Sequence, residues 1–351
     1  MPTTAAYAAL DASSPLAPFT IERRAPRANE VLIEIAYCGI CHSDLHQARD
    51  EWGGALFPMV PGHEIVGHVS EVGEGVTKFR TGDAVGVGCF VDSCRQCAPC
   101  RAGEEQYCDA GMTATYNSRE RDGGAPTFGG YSARITVHED YVLRIPEGLP
   151  LDRAAPLLCA GITTYSPLRQ FGVGPGHEVA VVGLGGLGHM AVKLAAAMGA
   201  RVTVLSTSES KRGDATALGA HDFLATRDSA VFKANAGRFD LIIDTASAAH
   251  DYNAYLSLLK FNGTMVLLGI PEQPVPVAAG VLIMRRRTLT GSLIGGIRQT
   301  QEMLDFCAQH GVASDIELID IAQINGAYER MLRNDVRYRF VIDLATLPQA
   351  A

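Results

Sequence analysis

The sequence predicts a two-domain α/β chain in which a β-rich domain accompanies a Rossmann-type, doubly wound parallel sheet. Three observations carry this. The length of 351 residues exceeds the size at which a single core usually stops growing. Up to about residue 148 short alternating runs are broken by glycine, whereas beyond it apolar strands alternate with alanine-rich amphipathic stretches. One of those strands also runs directly into the turn Gly183-Leu184-Gly185-Gly186-Leu187-Gly188.

In the first region the strand candidates are residues 31–35, 68–72, 84–87 and 131–137. In the second they are 178–182, 201–205, 222–225, 240–244, 264–269 and 288–293. Six strands interleaved with helices imply a parallel sheet, because parallel neighbours require crossover connections. The stretch 271–276 reads as a proline-rich loop, followed after Gly295 by a helix at 299–309 and a final strand at 339–344. These last elements could rejoin the first domain, although nothing local in the sequence shows it.

Composition narrows the function class. With 47% hydrophobic and 19% charged residues, 37 glycines and one tryptophan, the chain falls among ordinary globular proteins. A net charge of −8 argues against a nucleic-acid partner, and the one dense basic run, Arg285 to Arg287, reads as a solvated loop or strand entry. No apolar stretch approaches the ~20 residues that span a bilayer, and residues 1–10 lack a signal-peptide layout, so a cytoplasmic protein without a membrane partner is expected. Nine cysteines in that setting should be reduced, which directs attention to metal or catalysis before disulfides.

The glycine turn has the setting of a dinucleotide site. Strand 178–182 precedes it and a helix at 189–198 follows. Gly183 permits the tight turn, Gly185 lets backbone approach a pyrophosphate, and Gly188 allows close helix-to-strand packing, with Gly186 and Leu187 completing the loop. His189, at the start of that helix, is expected to be exposed. An NAD-binding chain would carry Asp or Glu at the end of the next strand, but here the text is Ser206-Thr207-Ser208-Glu209-Ser210-Lys211-Arg212. Ser206, Thr207 and Ser208 with the cation of Lys211 or Arg212 suit a 2′-phosphate, so NADP(H) is the expected cofactor. Helix capping by the same hydroxyls is the alternative reading.

Two cysteine patterns point to zinc. Cys94, Cys97, Cys100 and Cys108 can close a tetrahedron around a structural Zn²⁺. An iron–sulfur cluster is the rival, but ferredoxin runs continue with a cysteine after three residues and a proline, which this sequence lacks. A dispersed set comprises Cys41, His63 and Cys159, and two cysteines with a histidine would leave zinc's fourth position open, as a catalytic ion requires. Cys38, Cys89 and Cys307 belong to no set and read as small buried hydrophobes. His68, His138, His177, His221, His250 and His310 have no partner evident in sequence.

At these residues the chain resembles the zinc-dependent medium-chain alcohol dehydrogenases, and more narrowly the cinnamyl alcohol dehydrogenase group. The resemblance rests on Cys41-His42-Ser43-Asp44-Leu45-His46, Val60-Pro61-Gly62-His63-Glu64, the four-cysteine loop, Thr115-Tyr116-Asn117-Ser118 and the glycine turn, in the same order over nearly the whole length. It implies a GroES-like catalytic domain over residues 1–148 and 295–351, a cofactor domain over 149–294, and an active site in the cleft between them. Cys41, His63 and Cys159 would bind a catalytic zinc, Glu64 would be a carboxylate able to approach it, and Asp44 would orient His63. His42 would face the cofactor pyrophosphate, Thr163 the nicotinamide, and Arg337 the phosphates from the far side.

The implied activity is hydride transfer between NADP(H) and an aldehyde/primary alcohol pair, with Ser43 and His46 passing the alcohol proton to water. Trp52, Met59, Met112 and Ile294 resemble an apolar lining for aromatic or medium-chain aldehydes. The resemblance also implies a homodimer formed through the strand at 288–293. The competing readings are a polyol or sugar dehydrogenase of the same superfamily, which would need a more polar pocket, and a non-enzymatic dinucleotide-binding redox sensor, which would be expected to lose the ligands and relay groups that here remain.

Overall fold

The computed structural model describes residues 3–271 and 273–348. The chain divides into two compact units, Met1–Cys159 with Gly295–Ala351, and Ala160–Ile294. Residues 149–159 therefore join the first unit, where the sequence reading had placed them in the second. The reason is packing: Leu151–Ala154 and Ala155–Leu158 lie on the first unit's sheet, and Ala154, Ala155, Leu157 and Leu158 are buried there.

The second unit is built on six parallel strands in the spatial order Asp222–Ala225, Arg201–Ser206, Glu178–Val182, Phe239–Asp244, Leu259–Leu267 and Thr288–Gly291. Runs such as Val179, Ala180 and Val181 or Ile242 and Ile243 are wholly buried, as strands covered on both faces must be. Each fully buried Val or Ile side chain contributes about 1.5–3 kcal/mol. The strand Leu259–Leu267 begins five residues before the expected position 264, with a register irregularity opposite Phe239 and Leu241. From Glu178–Val182 the chain winds outward to one side, then returns to Phe239–Asp244 and winds to the other. The order thus reverses between those two strands.

The helix Gly188–Ala197 covers this sheet with Met190, Ala191, Val192, Leu194 and Ala195, its alanines permitting close approach. His189 is also buried, contrary to the expected exposure, with its Nδ1 2.8 Å from the Gly186 carbonyl oxygen. The basic triplet is only partly solvated. Arg285 and Arg286 are exposed, but Arg287 donates to the carbonyls of Ser257, Leu259 and Val281.

The first unit centres on a seven-stranded sheet. Glu30–Gly39 pairs antiparallel with both Ile65–Val72 and Arg134–His138, and Ala84–Val87 extends the sheet toward Leu143–Arg144. On its other side the C-terminal strand Arg339–Asp343 pairs antiparallel with Glu30–Gly39, matching Ile342 to Cys38, and runs parallel to Ile316–Asp320. This pairing returns the end of the chain to the first domain. The helix Ile297–His310 buries Met303, Leu304 and Cys307 on one face. Two ribbons of two strands each, Thr3–Ala8 with Ala17–Glu22 and Phe90–Asp92 with Thr113–Ala114, complete the unit.

Candidate active site

Three separate pieces of the first unit converge on one buried cluster. Cys41 precedes the helix His42–Ala48, His63 and Glu64 precede the strand Ile65–Val72, and Cys159 ends the segment Ala155–Leu158. The ligand atoms of Cys41, His63, Glu64 and Cys159 all lie within 4.8 Å of one another, and Cys41 Sγ is 3.9 Å from Cys159 Sγ. Two sulfurs at about 2.3 Å from a tetrahedral zinc stand about 3.8 Å apart, so the donor set fits that ion. Contact with Cys159 draws the Cys41 thiol well below its ordinary range, which favours the thiolate that a metal ligand requires.

Asp44 organises this cluster from beneath. Its Oδ1 faces His63 Nδ1 at 3.1 Å and accepts the Gly62 N–H at 3.1 Å, while Oδ2 accepts the Cys41 N–H at 2.8 Å and the Tyr131 hydroxyl at 3.2 Å. With Nδ1 engaged as donor, His63 is left to present Nε2. Burial opposes a charge on His63, yet Asp44 outweighs it and raises the imidazole well above its ordinary range. The ring is further held by Tyr116, stacked with centroids 5.8 Å apart.

Glu64 is fully buried and ion-paired through Oε1 to Arg339, while its Oε2 has no hydrogen-bond partner. Burial pushes Glu64 up to about 7 although Arg339 pulls the other way. Gly39 makes room for this carboxylate, because a Cβ there would stand 1.9 Å from Glu64 Oε2. The cation that reaches the cluster is therefore Arg339. Arg337, expected at the cofactor phosphates, lies before the strand Arg339–Asp343 and donates its backbone N–H to Glu317.

The other predicted residues fall as follows. Ser43 Oγ is 3.6 Å from Cys41 Sγ. His42 is exposed at the first position of its helix. His46, its side chain 31% exposed, pairs through Nδ1 with Glu51 and stacks on Trp52 with centroids 5.1 Å apart. Trp52 is half exposed, whereas Met59 is 1% exposed and bridged to Ala9, presenting no open face. Met112 is partly buried, and Ile294, buried with φ 35°, ends the second unit. Glu51 was not singled out from sequence. Cys89, expected as a small buried hydrophobe, is only partly buried, and its thiol lies close enough to Cys159 and His63 to shift both. The sequence signal for Glu51 is its position just past the helix carrying His46.

The four-cysteine loop forms the second metal-ligand set. The sulfurs of Cys94, Cys97, Cys100 and Cys108 lie within 4.8 Å of one another, with Cys94 and Cys100 3.9 Å apart. Backbone N–H groups of Cys94 and Cys97 donate to the sulfurs of Cys108 and Cys94, at 3.3 and 3.4 Å. Backbone donors from Gln96 and Cys97 draw Cys94 down to about 6, which favours a metal-ready thiolate.

In the second unit, Gly183 takes φ +86° in the turn after Glu178–Val182, and a Cβ on Gly188 would stand 2.2 Å from the Gly183 carbonyl. A Cβ on Gly185 would meet nothing within 4 Å, so that backbone faces open space. Lys211 Nζ donates to the Leu184 carbonyl at 3.0 Å, which tethers it to the turn. Ser206 is buried at the end of its strand and accepts the Ser208 N–H, Ser208 Oγ is 2.9 Å from Ser210 Oγ, and Thr207 is exposed. Arg212 pairs with Glu209 at 2.5 Å and lies over the Phe223 ring. Thr163 is buried in the helix Ala160–Gln170.

Comparison with known proteins gives consistent matches. Residues 27–147 match the alcohol dehydrogenase GroES-like domain, and residues 186–309 match the zinc-binding dehydrogenase domain. The chain is 60% identical over 348 residues to an NADP-dependent alcohol dehydrogenase C of Mycolicibacterium smegmatis, covering 99% of each chain. Among solved structures, a cinnamyl alcohol dehydrogenase of Sorghum bicolor superposes with a TM-score of 0.96 at 49% identity, covering 100% of both chains. The corresponding enzyme of Helicobacter pylori, solved with NADP(H), gives 0.91 at 43% identity and 98% coverage of both.

Proposed function

The chain belongs to the zinc-dependent medium-chain alcohol dehydrogenases, in the cinnamyl alcohol dehydrogenase group, and on that footing we propose that it reduces aromatic or medium-chain aldehydes to primary alcohols with NADPH. The observation that carries the reading is the buried Cys41–His63–Cys159 set with Glu64 beside it. When bound there, zinc supplies a Lewis acid for the substrate oxygen, and NADPH supplies the hydride.

The protein's own groups supply position and proton transfer. Asp44 fixes the tautomer and orientation of His63, and Arg339 restrains Glu64. Ser43 and His46 form the route for the proton: Glu51 holds His46 by Nδ1, so Nε2 is the atom that exchanges with water. Ser206, Thr207 and Ser208 offer hydroxyl and backbone donors, and Lys211 a half-buried cation, to the 2′-phosphate of NADP(H). Arg212 is already engaged by Glu209, which favours Lys211 for that role. The loop Cys94–Cys108 would hold the second, structural zinc.

A homodimer joined at the outer edge of the cofactor sheet is part of this proposal. Thr288–Gly291 is an edge strand, and close to it in sequence Ile283 and Met284 are 74% and 81% exposed, an apolar surface suited to a second copy. Among the described residues no helix is long and apolar enough to cross a membrane. All nine cysteines are free, in keeping with a proposed cytoplasmic location.

The test is a rate comparison with cinnamaldehyde, benzaldehyde and hexanal against NADPH and NADH in parallel. Turnover of at least one aldehyde, faster with NADPH, is expected. Equal or faster rates with NADH would remove the 2′-phosphate assignment, and no turnover of any of the three aldehydes would remove the aldehyde reading.

A further inference from the structure

His250 has no role in the site as described, yet its environment is built. The residue lies in the loop after the strand Phe239–Asp244, whose Asp244 pairs in register with Val182, the last residue before the glycine turn. The strand order reverses between these two strands, and ligands of open parallel sheets bind at the carboxyl ends of strands where that happens. The glycine turn and residues 245–251 follow directly on the two strands that flank this reversal. The two segments touch: Thr245 Oγ1 donates to the Val182 carbonyl at 2.7 Å and would stand 3.1 Å from a Cβ on Gly183.

Both imidazole nitrogens of His250 face acceptors. Nε2 is 3.0 Å from Asp244 Oδ2, and Nδ1 is 2.8 Å from the Ala248 carbonyl oxygen. A neutral imidazole has one N–H and can satisfy only one of these, whereas an imidazolium satisfies both. The other Asp244 oxygen accepts the Ala246 N–H at 3.1 Å, so the ion pair ties both ends of the loop together. Asp244 is almost wholly buried, which keeps solvent from competing.

We infer that His250 is a positioning residue for the dinucleotide: as an imidazolium it clamps residues 245–250 against the glycine turn, and cofactor binding weakens when it loses its proton. The inference rests on the NADP(H) reading. The groups facing His250 are Asp244 from the strand, Asp251 at the start of the next helix, and the rings of Tyr252 and Tyr255 on that helix, with centroids 4.1 and 5.1 Å away. Burial opposes the charge, but the Asp244 hydrogen bond and the Ala248 carbonyl raise His250 above its ordinary range. A raised folded-state value means that the clamp is complete below about pH 6.5 and is lost as pH rises through that higher value.

The test is calorimetric titration of the zinc-loaded protein with NADPH at about pH 6.5 and 9, repeated with NADH to separate titration of the 2′-phosphate, for the wild type and His250→Gln. The wild-type Kd should rise roughly tenfold between the two pH values with either dinucleotide, as expected for loss of a charge-assisted hydrogen bond. His250→Gln should bind weakly and nearly independently of pH, with kcat at saturating cofactor close to wild type. Asp244→Asn provides a second variant with the same predicted loss of pH dependence. A wild-type Kd that does not change with pH, or a variant that keeps the full pH dependence, would overturn the inference while leaving the cofactor assignment intact. Failure of the wild type to bind either dinucleotide would remove both.

Discussion

The two cysteine clusters of the first unit hold similar donor sets by opposite means. Cys94, Cys97, Cys100 and Cys108 lie within one short loop whose own backbone N–H groups steady the sulfurs. Cys41, His63 and Cys159 come from three distant segments, and their alignment depends on Asp44, Tyr131, Glu64 and Arg339. The local cluster is a fold-stabilising clip that can close its coordination with four thiols. The dispersed one has only two thiols and an imidazole, beside a carboxylate oxygen that no hydrogen bond satisfies, and such a set can exchange its fourth partner.

Removing one ligand from each cluster should separate the two roles. Cys159→Ala is expected to lower kcat by about a thousandfold or more and to halve the zinc content, with the melting temperature little changed. Cys97→Ser is expected to lower the melting temperature by on the order of 10 °C, while the fraction that remains folded turns over near the wild-type rate. Identical losses of activity and stability in both variants would break the distinction.

Weaker changes sharpen it. Asp44→Asn keeps the shape but presents an amide to His63 and Cys41, and should weaken zinc retention at the dispersed site by roughly 10- to 100-fold in a competition with a chelator. The four-cysteine site should be unaffected. His46→Gln should slow turnover by roughly tenfold, the effect being limited because water reaches this partly exposed position. An unchanged rate would take His46 and Glu51 out of the proton route.

The same contrast explains what could be read from the sequence. The four-cysteine loop and the strand–turn–helix at Gly183 are local, and the strand Glu178–Val182 lies where alternation and glycine spacing placed it. The dispersed ligands gain meaning only from pairings that no local pattern encodes, such as Ile342 beside Cys38, which carries Arg339 to Glu64. Residues 149–159 fall across the expected boundary for a like reason: a short helical segment carries no mark of the sheet it covers. Thr3–Ala8, rich in alanine and without apolar alternation, gave no strand signal at all. His250 looked partnerless because Asp244 seemed merely the last residue of a strand.

If turnover depends on a metal held by Cys41, His63 and Cys159, following NADPH oxidation with cinnamaldehyde before chelation, after removal of the exchangeable metal and after return of stoichiometric zinc will show it. Turnover should vanish on removal and recover with zinc while the fold stays intact. Undiminished turnover in protein shown to lack metal at that cluster would rule out this dependence.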